Sequence, residues 1–233
     1  MMKLYNDLTG VFSKDWFRFE YKGGIIKIEE TEKQATVKGV ELEFHGQAIN
    51  IHKGIFEKTD FLFKRDEDVQ EKMHKLQHSC DGVLIIEQQG QKYLVFIELK
   101  SDYTSGNIRK AEIQLCASYL RIMALLNCME DFQPDEYRKC GIIVSHPLNQ
   151  EKLNLILKKR NSKMKLTRFE KQSLSFASKY PKGGFPMDKN YSLLGKLPIA
   201  DCLRFDSLPT FHFNVNKDSG TGRFALNDIL KRL

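Results

Sequence analysis

Four short runs rich in β-branched and aromatic residues lie near the start of the chain: Phe17 to Tyr21, Gly24 to Ile28, Val40 to Phe44 and Gln47 to Ile51. Gly23-Gly24, Gly39 and His45-Gly46 punctuate them, so the pattern predicts a small β-meander, either a flanking lobe or an extension of a larger sheet. From Asp66 to Gln77 a charged segment carries Val69, Met73 and Leu76 at helical spacing, which predicts a surface helix with one narrow apolar stripe. Two nearly continuous apolar runs follow, Asp81 to Glu87 and Tyr93 to Leu99, joined by Gln88-Gln89-Gly90-Gln91. They predict an antiparallel hairpin in mid-sheet, because a strand covered on both faces loses its polar alternation.

Ser105 to Asn127 predicts a long helix with Ile108, Ala111, Leu115, Ser118, Ile122 and Leu126 on its inner face. Cys140 to Ser145 reads as another buried strand, and Leu153 to Gln172 as a second helical region. Tyr180 to Pro198, rich in glycine, proline and lysine, predicts a loop. Leu203 to Val215 predicts a final strand pair, and Phe224 to Leu233 a terminal helix. The order helix, strand, strand, helix, strand predicts an α/β core over residues 56–150. A β-rich N-terminal extension, residues 1–55, precedes it, and a basic C-terminal region, residues 151–233, packs on the same domain.

Of 233 residues, 41% are apolar and 29% charged, which excludes a disordered chain and predicts a packed core. Lysine and arginine outnumber aspartate and glutamate by 37 to 30, and the net charge of +7 favours a polyanionic partner such as nucleic acid. The five cysteines, Cys80, Cys116, Cys128, Cys140 and Cys202, are widely spaced and never form Cys-x-x-Cys. That spacing argues against a disulfide scaffold, a zinc knuckle or an iron–sulfur site and fits a reducing cytosol. No stretch approaches the roughly 20 apolar residues of a membrane helix. The start, Met1 to Asp7, lacks a hydrophobic signal region, so a cytoplasmic protein with no membrane partner is expected.

Chemistry enters with the hairpin. If its loop is symmetric about the Gln89–Gly90 bond, residues whose numbers sum to 179 face each other, and Asp81 lies opposite Glu98. Directly opposed Cβ atoms are about 4.5–5.5 Å apart. Alternation puts Lys100 on the face of Glu98 and turns Leu99 to the other. Carboxylates this close repel unless one is protonated or a cation lies between them. Two carboxylates with water around a divalent ion are the usual hard-ligand arrangement for magnesium. Such an ion polarises a phosphoryl oxygen and lowers the pKa of bound water. The lysine ammonium orients or deprotonates that water, or offsets charge in the transition state.

Asp81, then Glu98-Leu99-Lys100 after sixteen intervening residues, resembles the PD-(D/E)xK nuclease superfamily. The motif is short, and its position carries the resemblance: the aspartate begins one central strand, the Glu-x-Lys ends its neighbour, and a helix follows. The resemblance spans Asp66 to Ser145, about a third of the chain. It implies a restriction-endonuclease-like fold with a central mixed sheet flanked by helices, magnesium or manganese as cofactor, and cleavage of DNA or, less often, RNA. On that resemblance Asp81, Glu98 and the Leu99 carbonyl would hold metal, and Lys100 would position the attacking water. Cys80 stands where the family's namesake proline would be. Gln114 and Tyr119 resemble the glutamine and tyrosine of exonuclease-like members, spaced one residue further apart than usual. Gln114 is the one carried over to the catalytic site.

Lys110, Gln114 and Arg121 fall within about 40° on a helical wheel, so Lys110 and Arg121 are expected to help hold the scissile phosphate. Lys158, Lys159 and Arg160 open a basic run reaching Lys171 that would contact phosphates along the backbone. Plainer alternatives stand beside these: a strand-end salt bridge for Glu98 and Lys100, a turn residue for Asp81, a merely solvated basic helix. Glu57, Asp60 and Glu71 are undivided candidates for an extra carboxylate. His74 and His78 have the spacing of a transition-metal pair but lack an acidic third ligand, and solvated histidines are the plainer expectation. The expected function is a metal-dependent nuclease of restriction, anti-phage defence, mobile-element processing or repair. It would act alone, as a homo-oligomer or with a partner protein in a multi-subunit system. The rival is a non-cleaving nucleic-acid-binding or protein-interaction subunit that keeps the fold.

Overall fold

The computed structural model describes residues 1–59, 78–179, 185–186, 203 and 208–233. Helix α1 (Met2–Val11) precedes strands β1 (Phe17–Glu20), β2 (Gly24–Glu29), β3 (Gly39–Phe44) and β4 (Gln47–Ile51), then helix α2 (Gly54–Thr59). The hairpin β5 (Gly82–Gln88) and β6 (Gln91–Lys100) leads into α3 (Ser105–Leu126) and β7 (Tyr137–Ser145). After α4 (Gln150–Asn161) and α5 (Arg168–Lys179) come β8 (Phe185–Pro186), β9 (Pro209–Asn214), β10 (Thr221–Ala225) and α6 (Asn227–Leu230). One sheet has seven strands in the order β1-β4-β5-β6-β7-β9-β8, and a second has three, β10-β3-β2. In the larger sheet β6, β7 and β9 run parallel, and the remaining neighbours are antiparallel. The class is therefore α/β, a mixed sheet flanked by helices.

Alternation along the central strands sends successive side chains to opposite faces. Val83, Ile85, Leu94 and Phe96 share a core with Leu4 and Leu8 of α1, Ile55 and Phe56 of α2, and the inner face of α3. Leu84, Ile86, Val95, Ile97 and Leu99 join Ile26, Ile28, Val40 and Leu42 of the smaller sheet in a second core. Helices cover one face of the hairpin and a second sheet covers the other, so both faces are apolar from Val83 to Ile86 and from Leu94 to Ile97. Residues 17–51 serve both layers. Strands β1 and β4 widen the main sheet, while β2 and β3 pair with each other, and β10 adds to β3 in parallel. No helix among the described residues is long and apolar enough to cross a membrane.

Several expectations shift. Met2–Val11 is helical, although its two buried residues, Leu4 and Leu8, make too short a stripe to stand out in sequence. The expected helix over Leu153 to Gln172 is two helices, because the chain turns between Asn161 and Arg168, with Lys163 at φ 58°. Within Leu203 to Val215 one strand, β9, is described, and its antiparallel neighbour β8 lies in the stretch read as a loop. The expected terminal helix is confined to Asn227–Leu230, because Thr221–Ala225 pairs along β3 instead. The helix expected over Asp66 to Gln77 lies outside the described residues.

The hairpin turn has both central φ angles positive, Gln89 at 52° and Gly90 at 77°. That two-residue form matches the twist of the strands it joins. Pairing runs from Gln88↔Gln91 to Gly82↔Ile97, the register anticipated from symmetry about the Gln89–Gly90 bond. At the other tight crossing, from β3 to β4, Gly46 has φ 85°, and a Cβ there would sit 2.2 Å from the Glu87 carbonyl oxygen. A Cβ on Gly90, also at positive φ, would meet nothing within 4 Å. Gly46→Ala is therefore expected to lose roughly 2–4 kcal/mol of stability and Gly90→Ala only about 1. Urea unfolding compares them, and equal losses would contradict the close approach at Gly46.

Candidate active site

Asp81 immediately precedes β5, and its Oδ2 accepts a hydrogen bond from the Leu99 N–H at 2.8 Å. This ties the start of one hairpin arm to the end of the other. Glu98 shares the helix-covered face with Leu94 and Phe96 and is 1% exposed. Its Oε1 forms an ion pair with Lys100 Nζ. Lys100 Nζ also donates to Gln114 Oε1 at 2.7 Å, and Gln114 Nε2 donates to the Ser79 carbonyl at 2.9 Å. All four predicted residues, with Leu99, line one cleft of about 400 Å³.

Burial raises the Asp81 carboxyl to about 6, opposed by the Leu99 N–H, with Glu30 adding to the rise and Lys100 and Lys53 countering it. Burial also pushes Glu98 well above the ordinary carboxylate range; the charge on Asp81 adds to this, and Lys100 opposes it. Glu98 Oε2 is buried and has no hydrogen-bond partner among the described residues. An ionised oxygen in that position is costly unless something positive meets it. A cation fits this demand. Among the described residues no group of three or more His, Cys, Asp or Glu is placed to hold an ion, so a cation here could draw only on the two carboxylates and backbone oxygen. Magnesium keeps several waters and accepts such sparse protein ligation.

The cleft has a wall that sequence reasoning missed. Glu30, Thr31 and Glu32 come from the loop between β2 and β3, and Lys53 and Asn107 also line the space. The loop is held to the end of β6: Thr36 N–H donates to Ser101 Oγ at 3.2 Å, and Thr36 Oγ1 donates to the Ser101 carbonyl at 3.1 Å. No local motif announced Glu30 or Lys53. Glu57 lines the cleft, as does His78, while Asp60, Glu71 and His74 lie outside the described residues.

The predicted phosphate contacts divide. Lys110 is exposed and lines the cleft. Arg121 is 2% exposed and does not. Its guanidinium donates to the Phe56 carbonyl and to Thr59 Oγ1 and lies over the Phe56 ring, 5.0 Å from the centroid. The expected nucleic-acid contact at Arg121 is thus replaced by a structural one, because α2 packs on that edge of α3. Tyr119 is fully buried, edge-on to Phe96 at 5.8 Å. Lys158, Lys159 and Arg160 are exposed on α4 and line no part of the cleft, and Lys159 pairs with Glu170 of α5 at 2.6 Å.

The chain matches no family model, no curated protein and no solved structure. Any functional conclusion rests on the cleft itself.

One consequence concerns pH. Because folding raises the Asp81 pKa from 3.8 to about 6, protonation stabilises the metal-free fold; the benefit is full below the lower value and lost as pH rises through the higher. Asp81→Asn removes that loss. In the presence of a chelator near pH 8 the variant is expected to be more stable than wild type by roughly 1–3 kcal/mol, at about 1.4 kcal/mol per unit. Near pH 3.5 the two should be about equal. Denaturant unfolding at both pH values decides it, and a wild type more stable than the variant at the higher pH would refute the desolvated carboxylate.

Proposed function

We propose that this chain is a metal-dependent nuclease of the PD-(D/E)xK type, with a restriction-endonuclease-like core, hydrolysing phosphodiester bonds in DNA. One observation carries the proposal: the buried, unpartnered Oε2 of Glu98 lies beside Asp81 in a cleft that also presents a lysine. Asp81 and Glu98 would hold a magnesium or manganese ion, with the Leu99 carbonyl as a further oxygen. When bound, the ion supplies Lewis acidity to a phosphoryl oxygen and lowers the pKa of a coordinated water.

The chain's own groups supply the rest. Lys100 has three N–H donors. Glu98 Oε1 and Gln114 Oε1 engage two of them, which fixes the ammonium and leaves a third for an attacking water or a non-bridging phosphate oxygen. Gln114 is thus a positioning residue: it aims Lys100 and is itself anchored on the Ser79 carbonyl. Lys53 and Lys110 place positive charge in the cleft where a phosphodiester would enter. Lys158 and Arg160 on α4 would extend backbone contact beyond the cleft, with affinity that falls as salt rises.

The test uses linear, circular and single-stranded DNA and RNA with magnesium or manganese, comparing wild type with Glu98→Gln and Lys100→Ala. Both variants are expected to cut at least about a hundredfold more slowly. If wild type cuts nothing under any of these conditions, or all three proteins cut alike, the proposal is wrong. DNA binding of equal strength in all three without cleavage would mark a non-cleaving module instead.

A further inference from the structure

Residue 80 is where the chain departs from the family it resembles, with cysteine in place of the namesake proline. A proline has no N–H. Here the N–H is used: Cys80 donates to Ser118 Oγ at 2.7 Å. The carbonyl of the same peptide unit, that of Ser79, accepts from Gln114 Nε2 at 2.9 Å. Residues four apart on a helix are neighbours on one face. Both polar ends of the Ser79–Cys80 peptide plane, one residue ahead of Asp81, are therefore gripped by adjacent side chains of α3.

Burial makes the grip matter. Ser118 is 0% exposed and Cys80 1%, so water has no access to replace the hydroxyl. Ser118 also sits on the apolar face of α3, between Leu115 and Ile122, where a hydroxyl is costly unless bonded. Its acceptor role toward Cys80 accounts for its presence there.

We propose that Ser118 is a positioning residue: it fixes the Ser79–Cys80 peptide, and through it the Asp81 carboxylate, doing by hydrogen bond what a proline ring would do by restricting φ. The proposal rests on the nuclease reading above, since it is the place of Asp81 beside Glu98 that the clamp would serve. Ser118 does not line the cleft; it holds Cys80 by the backbone N–H and also hydrogen-bonds its thiol, and would reach Asp81 only through Cys80.

The test is calorimetric titration of the full chain with Mn²⁺, alongside steady-state cleavage, for wild type, Ser118→Ala, Cys80→Pro and the double variant. Removing a residue that orients a metal ligand weakens metal affinity by about tenfold or more. Ser118→Ala is expected to show that loss and a matching fall in kcat, with KM changed less than about twofold and cooperative unfolding retained. In the Cys80→Pro background there is no N–H to hold, so the same substitution should change Mn²⁺ affinity by less than about twofold. Ser118→Thr keeps the hydroxyl and should restore most of the affinity, which keeps the test decisive if Cys80→Pro fails to fold. Wild-type affinity in Ser118→Ala, an equal loss in both backgrounds, or a threonine no better than alanine overturns the clamp. In each of these cases wild type still binds and cuts, so the nuclease reading survives. A wild type that neither binds Mn²⁺ nor cuts overturns both.

Discussion

A two-residue turn with Gln89 and Gly90 both at positive φ sets which residues of β5 and β6 face each other. Side-chain direction has a period of two along a strand, so a slip of one residue would send every apolar side chain to the opposite face. Both faces of this hairpin are covered, so a slip would repack two cores at once. It would also turn Glu98 toward the smaller sheet and Leu99 toward α3. The register is thus held by hydrophobic burial on both sides as well as by the turn, and the cleft inherits its geometry from it. Asp81 closes the pairing through its contact with the Leu99 N–H.

What that geometry creates is an electrostatic debt at one end of the sheet. Cross-strand neighbours stand about 5 Å apart, where two like charges at an effective dielectric near 20 repel by about 3 kcal/mol. Lys100 relieves Glu98 through Oε1. Nothing among the described residues relieves Oε2, and Glu30 adds a further negative charge at the same cleft. A purely structural salt bridge would not need a second carboxylate here. Replacing such groups by apolar ones is often neutral or stabilising, so two carboxylates lining a cleft are a cost that the packing alone does not require.

How much of this was legible in the sequence follows from the range of the interactions involved. The hairpin was legible because its signals are local: a Gly-containing turn flanked by apolar runs, with a Glu-x-Lys whose alternation is fixed by strand geometry. The wheel that grouped Lys110 with Arg121 gave angles correctly but could not say what covers each turn. Near the start of α3 the edge meets the cleft, and three turns later it meets Phe56 and Thr59 of α2. Glu30 was invisible for a related reason, because the Thr36 contacts that bring its loop to Ser101 span 65 residues. Strand β10 is the extreme case. Its parallel partner β3 lies far earlier in the chain, so a period-two pattern as short as Thr221–Ala225 had no neighbouring strand to suggest it.

Along α3 the polar residues Lys110, Gln114 and Ser118 recur every four positions. Each step advances about 40° beyond a full turn, so their line spirals slowly around the helix. Exposure falls along it: Lys110 is exposed, Gln114 half-buried and Ser118 fully enclosed. Their partners change in step, from open cleft to the Lys100 ammonium to the backbone N–H of Cys80. Beside them Ala111, Leu115 and Ile122 pack into the core shared with Leu94 and Phe96. Interiors packed at crystal-like density leave little room for a helix to shift. The apolar side of α3 therefore fixes the height and rotation of its polar line, and a cavity made under Leu115 would displace Gln114 and Ser118 together. The placement of Asp81 and Lys100 thus depends on hydrophobic packing that touches neither residue.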